Sequence, residues 1–397
     1  MPAVNRPSSG PDSIVTPGTV DYGFGATDEL TSFLEEHGVE RALVVTDLGV
    51  RDAGATDPVV ARLEEAGVEI TVFDDVRPDP AFSTVRRAAE AGRSSNADAV
   101  LGVGGGSSLD TAKLAAVLTV HDVPITETVG TDTLPGAGVP LALLPTTAGT
   151  GSEMTHVGVY ENDVAGGNKV VVFDEALLAD HAIVDPALTA TMPRPVAAAT
   201  GMDALTHAIE AYVSLHRTPF ADALAKDAIE RIGDSLGAAV HQGPDNDRAR
   251  REMSVAAMLA GQAFINAGLG AVHAMTYPVG IHVGVGHGRA NAVLLPHVMR
   301  YNLPAEPERY ATVARLLGEE RTPGQSVRDF ARQSVEAVRT LNEDIGIPNR
   351  LRDLGEVDRD SFDEFATTCI EHSEHNLRRN PRAIDHEDLV ALFEEAY

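Results

Sequence analysis

The fold class this sequence predicts is an α/β N-terminal domain with a parallel sheet, followed by an all-helical C-terminal domain. Three observations carry that expectation. The chain has 397 residues, a length that usually divides into two domains. Short apolar runs alternate with amphipathic segments through the first half. From Pro193 onward the strand-like runs stop and Ala-rich helical periodicity takes over, which places the boundary near Thr191–Pro195 and the domains at 1–193 and 194–397.

In chain order, Asp21–Gly25 reads as a glycine-punctuated turn and Thr27–Gly38 as a capped amphipathic helix ending at glycine. Arg41–Asp47 is a short apolar run closing on a polar residue, the pattern of a buried parallel strand. The alternation repeats through helix Asp57–Gly67, strand Val68–Phe73, helix Phe82–Gly92 and strand Ala99–Val103. Strand and helix in turn build βαβ units. In the second half, helical periodicity runs through Ala211, across Ala221–Leu236 and Arg251–Ala263, and over the C-terminal third. Gly284, Gly286 and Gly288 predict a flexible loop within it. Two domains leave a cleft, and clefts hold small molecules.

Composition narrows the partners. With 59 acidic against 31 basic residues the formal net charge is −28, which argues against nucleic acid, because phosphate affinity needs concentrated Lys and Arg. Only Lys113, Lys169 and Lys226 are lysines, and the acids are scattered along the chain. That pattern suggests a halophilic surface whose self-repulsion salt would screen. Cys369 is the single cysteine, so neither an intrachain disulfide nor a Cys-based zinc site is available, and a cytoplasmic location is expected. Residues Met1–Gly10 lack the charged and apolar regions of a secretion signal, and no apolar run reaches the roughly 18 residues of a membrane span.

Two loops suit a dinucleotide. Leu101-Gly-Val-Gly104-Gly105-Gly106-Ser107-Ser108-Leu109-Asp110 follows a predicted strand and opens a predicted helix carrying Lys113. Glycines let backbone N–H groups approach a pyrophosphate, and the helix N-terminus adds partial positive charge. The spacing is not G-x-G-x-x-G, and alone the loop is as compatible with a tight turn. Pro145-Thr146-Thr147-Ala-Gly149-Thr150-Gly151-Ser152-Glu153 follows the apolar run Leu141–Leu144 and collects hydroxyl donors for ribose or phosphate, although it also suits a helix-capping turn. Asp47 ends its strand, where a carboxylate can hold an adenosine ribose and repel a 2′-phosphate, or can serve simply as a turn residue. Lys113 and Lys169, kept in a lysine-poor chain, are further candidate contacts.

A second constellation suits a metal. Asp203 and His207, at i and i+4, share one helical face. His273 lies on a second helical segment, and His287 follows in the glycine loop. Three imidazoles and a carboxylate make a four-donor set for a divalent ion.

The pattern as a whole resembles the iron-containing (group III) alcohol dehydrogenases. The carriers are GGGSxxD at Gly104–Asp110, PTTAGTGSE at Pro145–Glu153, D-x₃-H-x₂-E at Asp203, His207 and Glu210, HAMxxPxG from His273 and HGxxNA from His287 to Asn291. The likeness extends from Gly23, Gly25 and Asp47 to Asn380-Pro-Arg. It implies a dehydroquinate synthase-like architecture, NAD as cofactor with Asp47 favouring it over NADP, and a divalent metal held by Asp203, His207, His273 and His287. Fe²⁺ is the expected ion, with Zn²⁺ or Mn²⁺ as alternatives. The substrates implied are small alcohols and aldehydes, and the assembly a homodimer or larger. The metal would act as Lewis acid, since coordination lowers a water pKa from 15.7 to about 7, and the nicotinamide would accept hydride.

Two positions depart from the family pattern. Tyr277 stands where several members carry a histidine, which makes it the candidate proton relay, and Asp79 stands where members often carry Asn near the adenine. Phe264, Asn266 and Tyr277 are candidates for lining the substrate. A hydroxyacid–oxoacid transhydrogenase with the same site is the alternative activity. An oxygenase fits less well, because its iron is held by two histidines and one carboxylate. A binding protein without turnover would bind NAD alone.

Overall fold

The computed structural model describes residues 13–397; the reading of Met1–Gly10 lies outside the described residues. Two compact units divide at Met192 and Pro193.

The first unit runs through β1 (Thr19–Tyr22), α1 (Leu30–His37), β2 (Arg41–Val45), α2 (Leu48–Asp52), α3 (Asp57–Glu65), β3 (Glu69–Phe73), α4 (Phe82–Ser95), β4 (Ala99–Gly104) and α5 (Gly106–Val120). It continues through β5 (Gly130–Thr131), β6 (Leu141–Pro145), β7 (Val157–Glu161), β8 (Lys169–Phe173) and β9 (His181–Val184). Six strands form a sheet in the order β1-β9-β6-β4-β2-β3, with every pairing parallel. The central strands β4 and β6 are buried at every residue, as expected where helices cover both faces. Alternation along β2 sorts the core. Leu43 and Val45 pack in one cluster with Phe82, Val85 and Leu109, while Ala42 and Val44 pack in the other with Phe33, Val59 and Leu63.

Three differences from the sequence reading stand out. Asp21 and Tyr22, expected to open a turn, instead end β1, an edge strand over Thr19–Tyr22 in register with β9; its half-exposed residues leave no apolar run to detect. The turn is confined to Gly23–Gly25, whose terminal glycines adopt positive φ. A second, three-stranded sheet β5-β8-β7 was not anticipated, and its β7–β8 pair is antiparallel.

The second unit contains α6 (Arg194–Val213), α7 (Pro219–Gln242), α8 (Asp247–Ile265), α9 (Ala271–Val283), α10 (His287–Asn302), α11 (Pro307–Leu316), α12 (Val327–Asp344), α13 (Phe362–Leu377) and α14 (His386–Ala396). Helix α6 is buried on nearly all sides from Met202 onward and packs against α7, α8 and α10. Its polar residues therefore lie in the core, where each needs a partner. The glycine loop is shorter than expected: Gly284 closes α9 in a left-handed conformation, and His287 is already the first residue of α10.

Candidate metal centre and dinucleotide loops

Helix α6 brings Asp203, His207 and Glu210 to one face, all nearly excluded from solvent. Helices α9 and α10 supply His273 and His287. One ligand atom each from Asp203, His273 and His287 lies within 4.8 Å of the others. His207 Nε2 stands 3.9 Å from Asp203 Oδ1, and its ring stacks on His273 with centroids 4.8 Å apart. Phe264 covers His207 at 4.6 Å. His287 is the solvent-facing member, its side chain 46% exposed.

Charge and hydrogen bonding converge on this point. Burial pushes the Asp203 carboxyl up, but His207, His287, His273 and the Asn291 amide outweigh it and hold it below its ordinary value. His273 Nδ1–H donates to Glu210 Oε2 at 2.6 Å, which leaves Nε2 as the lone-pair donor turned to the centre. Glu210 Oε1 accepts the Val272 N–H at 2.7 Å. Asn291, fully buried, directs its amide nitrogen to Asp203 Oδ1 at 2.6 Å, His273 Nε2 at 3.2 Å and His287 Nε2 at 3.1 Å. Thr276 donates to Asn291 Oδ1 at 2.5 Å and so fixes which end of the amide faces inward. One electropositive N–H₂ thus faces a carboxylate and two imidazole nitrogens, and that donor chemistry fits a divalent cation.

The opening turn of α10 depends on Gly288. A Cβ there would fall 2.2 Å from the Ala199 carbonyl oxygen and 3.3 Å from Asp203 Cβ. Only glycine allows α10 to press onto α6 so closely that His287 reaches Asp203.

The expected proton relay, Tyr277, lies one turn beyond His273 on α9, its ring 5.5 Å from that of His372 on α13. Sequence reasoning noted Asn291 and Glu210 only as parts of motifs; their roles as hub and positioner come from the geometry. The available signal was spacing, since Asn291 follows His287 by one helical turn and Glu210 follows His207 by three residues.

In the α/β unit, the expected dinucleotide residues gather where β2, β4 and β6 end. Gly104 has φ +157°, and a Cβ on it would meet Ser108 Cβ at 2.6 Å and Asp47 Oδ2 at 3.7 Å. Helix α5 starts at Gly106 without a side-chain cap, so its first turn is open to an anion. The threonine loop packs directly onto it: a Cβ on Gly106 would lie 2.9 Å from Thr150 Cγ2, and one on Gly105 would lie 3.5 Å from Thr147 Cγ2. Thr146 is buried beside them. Asp47 caps α2 by accepting the Val50 N–H at 3.0 Å, and its second oxygen meets the Ser108 hydroxyl at 3.4 Å.

Two expected contacts turn inward. Lys113 is fully buried, its ammonium donating to Thr155 Oγ1 at 3.1 Å and Val157 O at 2.9 Å. Asp110 accepts from the Ser152 hydroxyl at 2.6 Å and the Val159 N–H at 3.0 Å, with Lys113 Nζ at 3.7 Å. This pair ties α5 to β7 and the threonine loop. Burial pulls the Lys113 ammonium down and pushes Asp110 up, each opposed by the other. Burial also raises Glu153 to about 7. Lys169 pairs with Asp79 at 2.6 Å, so the two residues singled out separately in the sequence are partners.

Comparison with known proteins follows the same division. Residues 17–186 match the iron-containing alcohol dehydrogenase family model, and residues 197–397 match that of the Fe-containing alcohol dehydrogenase family, C-terminal. Long-chain-alcohol dehydrogenase 1 of Geobacillus thermodenitrificans is 40% identical over 387 residues, covering 97% of this chain and 96% of the relative. The crystal structure of a 1,3-propanediol oxidoreductase superposes with a TM-score of 0.93 at 39% identity, covering 98% of this chain and 100% of that one. Sulfoacetaldehyde reductase from Bifidobacterium kashiwanohense, solved in complex with NAD⁺, gives a TM-score of 0.88 at 30% identity over 98% of this chain and 99% of that one. With both parts matched in order, this chain belongs to the iron-containing alcohol dehydrogenase family.

Proposed function

We propose that this chain is an NAD-linked, metal-dependent dehydrogenase of small alcohols or diols that also reduces the corresponding aldehydes. The observation that carries the reading is the convergence of Asp203, His273 and His287 donor atoms within 4.8 Å on a hub of hydrogen bonds from Asn291. The dehydrogenases and the NAD⁺-bound reductase among its relatives support the rest.

Asp203, His207, His273 and His287 would hold the ion, which when bound supplies Lewis acidity to a substrate oxygen and makes the alcohol proton easier to lose. The chain's own residues do the positioning. Glu210 keeps His273 in the tautomer that offers Nε2. Asn291 and Thr276 hold the donor atoms in one geometry, and Phe264 shields the His207 ring from water. Gly104–Gly106, Thr147 and Thr150 would cradle the dinucleotide phosphates, with Asp47 at the adenosine ribose. Tyr277, one turn beyond His273 on α9, is assigned the proton.

The test is NADH formation over a panel of short alcohols, diols and long-chain alcohols. The protein is stripped with chelator and reloaded separately with Fe²⁺, Zn²⁺ or Mn²⁺. Turnover that returns on reloading, with NAD preferred over NADP, is expected. A chain that holds NADH but releases none, and turns over only when a second carbonyl substrate is added, would be a transhydrogenase. Unchanged pH–rate behaviour in Tyr277→Phe would remove Tyr277 as the relay.

A further inference from the structure

After α13 ends at Leu377, the chain turns through Arg378–Arg379–Asn380. This turn is pinned without help from the Arg379 side chain: Leu215 N–H donates to Arg379 O at 2.8 Å, and buried Asn380 exchanges hydrogen bonds of 2.8 Å with Asn302. The guanidinium arm lies along Gly268, where a Cβ would meet Arg379 Cδ at 2.4 Å and Nε at 2.7 Å. Gly268 has φ +79°, and its N–H donates to Phe264 O at 2.6 Å. Arg379 therefore sits one tight turn of chain away from the ring that covers His207.

What sets this guanidinium apart is the lack of an acid. The other partly buried arginines among the described residues are Arg41, Arg62, Arg217, Arg231, Arg250, Arg309 and Arg339, and each holds a carboxylate. Arg379 has no hydrogen bond or ion pair from its side chain among the described residues. Burial draws it below its ordinary value with no acid opposing. In a chain of 59 acidic residues, an unmatched, partly desolvated cation is a costly exception. Glu210, which lines a small crevice with Arg379, is already spent on His273 and Val272. Burial and then the Arg379 charge draw the His216 and His375 imidazoles below their ordinary value.

We propose that Arg379 anchors a binding site for a small oxyanion, a carboxylate or phosphate group. A planar guanidinium fork matches two oxygens of such a group, and the missing protein carboxylate leaves the fork for a ligand. The anion is either a free ion or the charged end of a substrate. The substrate branch rests on the dehydrogenase reading, whereas anion binding itself does not.

The experiment is calorimetric titration of the metal-loaded full chain with inorganic phosphate and with acetate at fixed ionic strength. Arg379→Gln is compared with Arg378→Gln, which makes the same charge change at an exposed neighbour. Saturable binding by the wild type, retained in Arg378→Gln and weakened about tenfold or more in Arg379→Gln, is the expected result. If Arg379→Gln fails to fold by circular dichroism, Arg379→Lys keeps the charge, loses the fork and weakens binding several-fold. Only heats of dilution for the wild type, or equal affinity in the Arg379 variants, would overturn the site. A second arm compares kcat/KM for an aldehyde bearing a terminal carboxylate with its neutral counterpart. Selective loss of the charged aldehyde in Arg379→Gln identifies a substrate group, and an unchanged ratio with phosphate binding lost identifies a free ion. Turnover without anion binding keeps the dehydrogenase and removes this site. Anion binding without turnover does the reverse.

Discussion

The two candidate sites are built from opposite materials. In the helical unit, α6, α9 and α10 bring one carboxylate and three imidazoles together, and buried Asn291 and Glu210 hold them. In the α/β unit, the loops after β4 and β6 meet through absent side chains and threonine methyls, leaving the start of α5 without a side-chain cap. A side-chain site needs charges compensated inside the fold, whereas a backbone site needs space and an unblocked helix end. Substitutions should therefore fail differently in the two places: by lost charge or tautomer in one, by added volume in the other.

The largest effect is expected at the helical site. Asp203→Asn or His207→Ala should lose bound metal and lower kcat/KM by about 10³ or more, since a metal ion supplies several kcal/mol to such chemistry. Elemental analysis beside the kinetics checks both. NAD binding measured by fluorescence should stay unchanged; its parallel loss would merge the two sites into one.

The α/β unit has its own buried acid, which tests whether charge matters there too. Glu153 is raised from an ordinary 4.5 to about 7, first by burial, so the folded protein binds more protons than the unfolded chain between those values. Stability from this group is present below about pH 4.5 and is lost as pH rises through about 7. Glu153→Gln should remove that decline, worth up to about 3 kcal/mol between pH 5 and 8 in urea unfolding. An identical pH slope in the variant would assign the dependence elsewhere.

Positioning comes next in size. Glu210→Gln keeps the shape but weakens the acceptor for His273 Nδ1–H, and metal affinity should fall by roughly 10–100-fold. Competition with a chromophoric chelator measures it. Unaltered affinity would make Glu210 a packing residue only.

The smallest effect distinguishes volume from charge. Gly106→Ala places a methyl 2.9 Å from Thr150 Cγ2, which forces the two loops apart. NAD affinity should weaken about tenfold, as a strained fit commonly costs 1–3 kcal/mol, with metal content unchanged. Equal NAD affinity would mean that the loops do not grip the dinucleotide at this point.

The same contrast explains what the sequence disclosed. The helical site is spelled in residue types, so Asp203, His207, His273 and His287 were legible from helical spacing and motif. The convergence of three donor atoms on Asn291 was not, because a hydrogen-bond hub depends on how α9 and α10 meet. The central strands were legible as apolar runs because a doubly covered sheet demands them. Edge strand β1 lacks such a run; β8 has one in Val170–Phe173, but its pairing with β5 and β7 is set by tertiary contact. Lysine retention drew Lys113 and Lys169 toward the cofactor. Yet Lys113 is enclosed with Asp110, and Lys169 holds Asp79. A residue's rarity in the sequence marks a constraint without naming its kind.

The most direct test of the central claim, that the His and Asp cluster holds a divalent ion needed for NAD-linked alcohol oxidation, is one titration. Chelator-stripped protein receives Fe²⁺ in sub-stoichiometric steps under anaerobic conditions while NADH formation from an alcohol already shown to be turned over is followed. Activity rising linearly to a break at one metal per chain, and absent at every step in His207→Ala, is the predicted result. Full activity in the stripped protein, or an equal rise in His207→Ala, would contradict it.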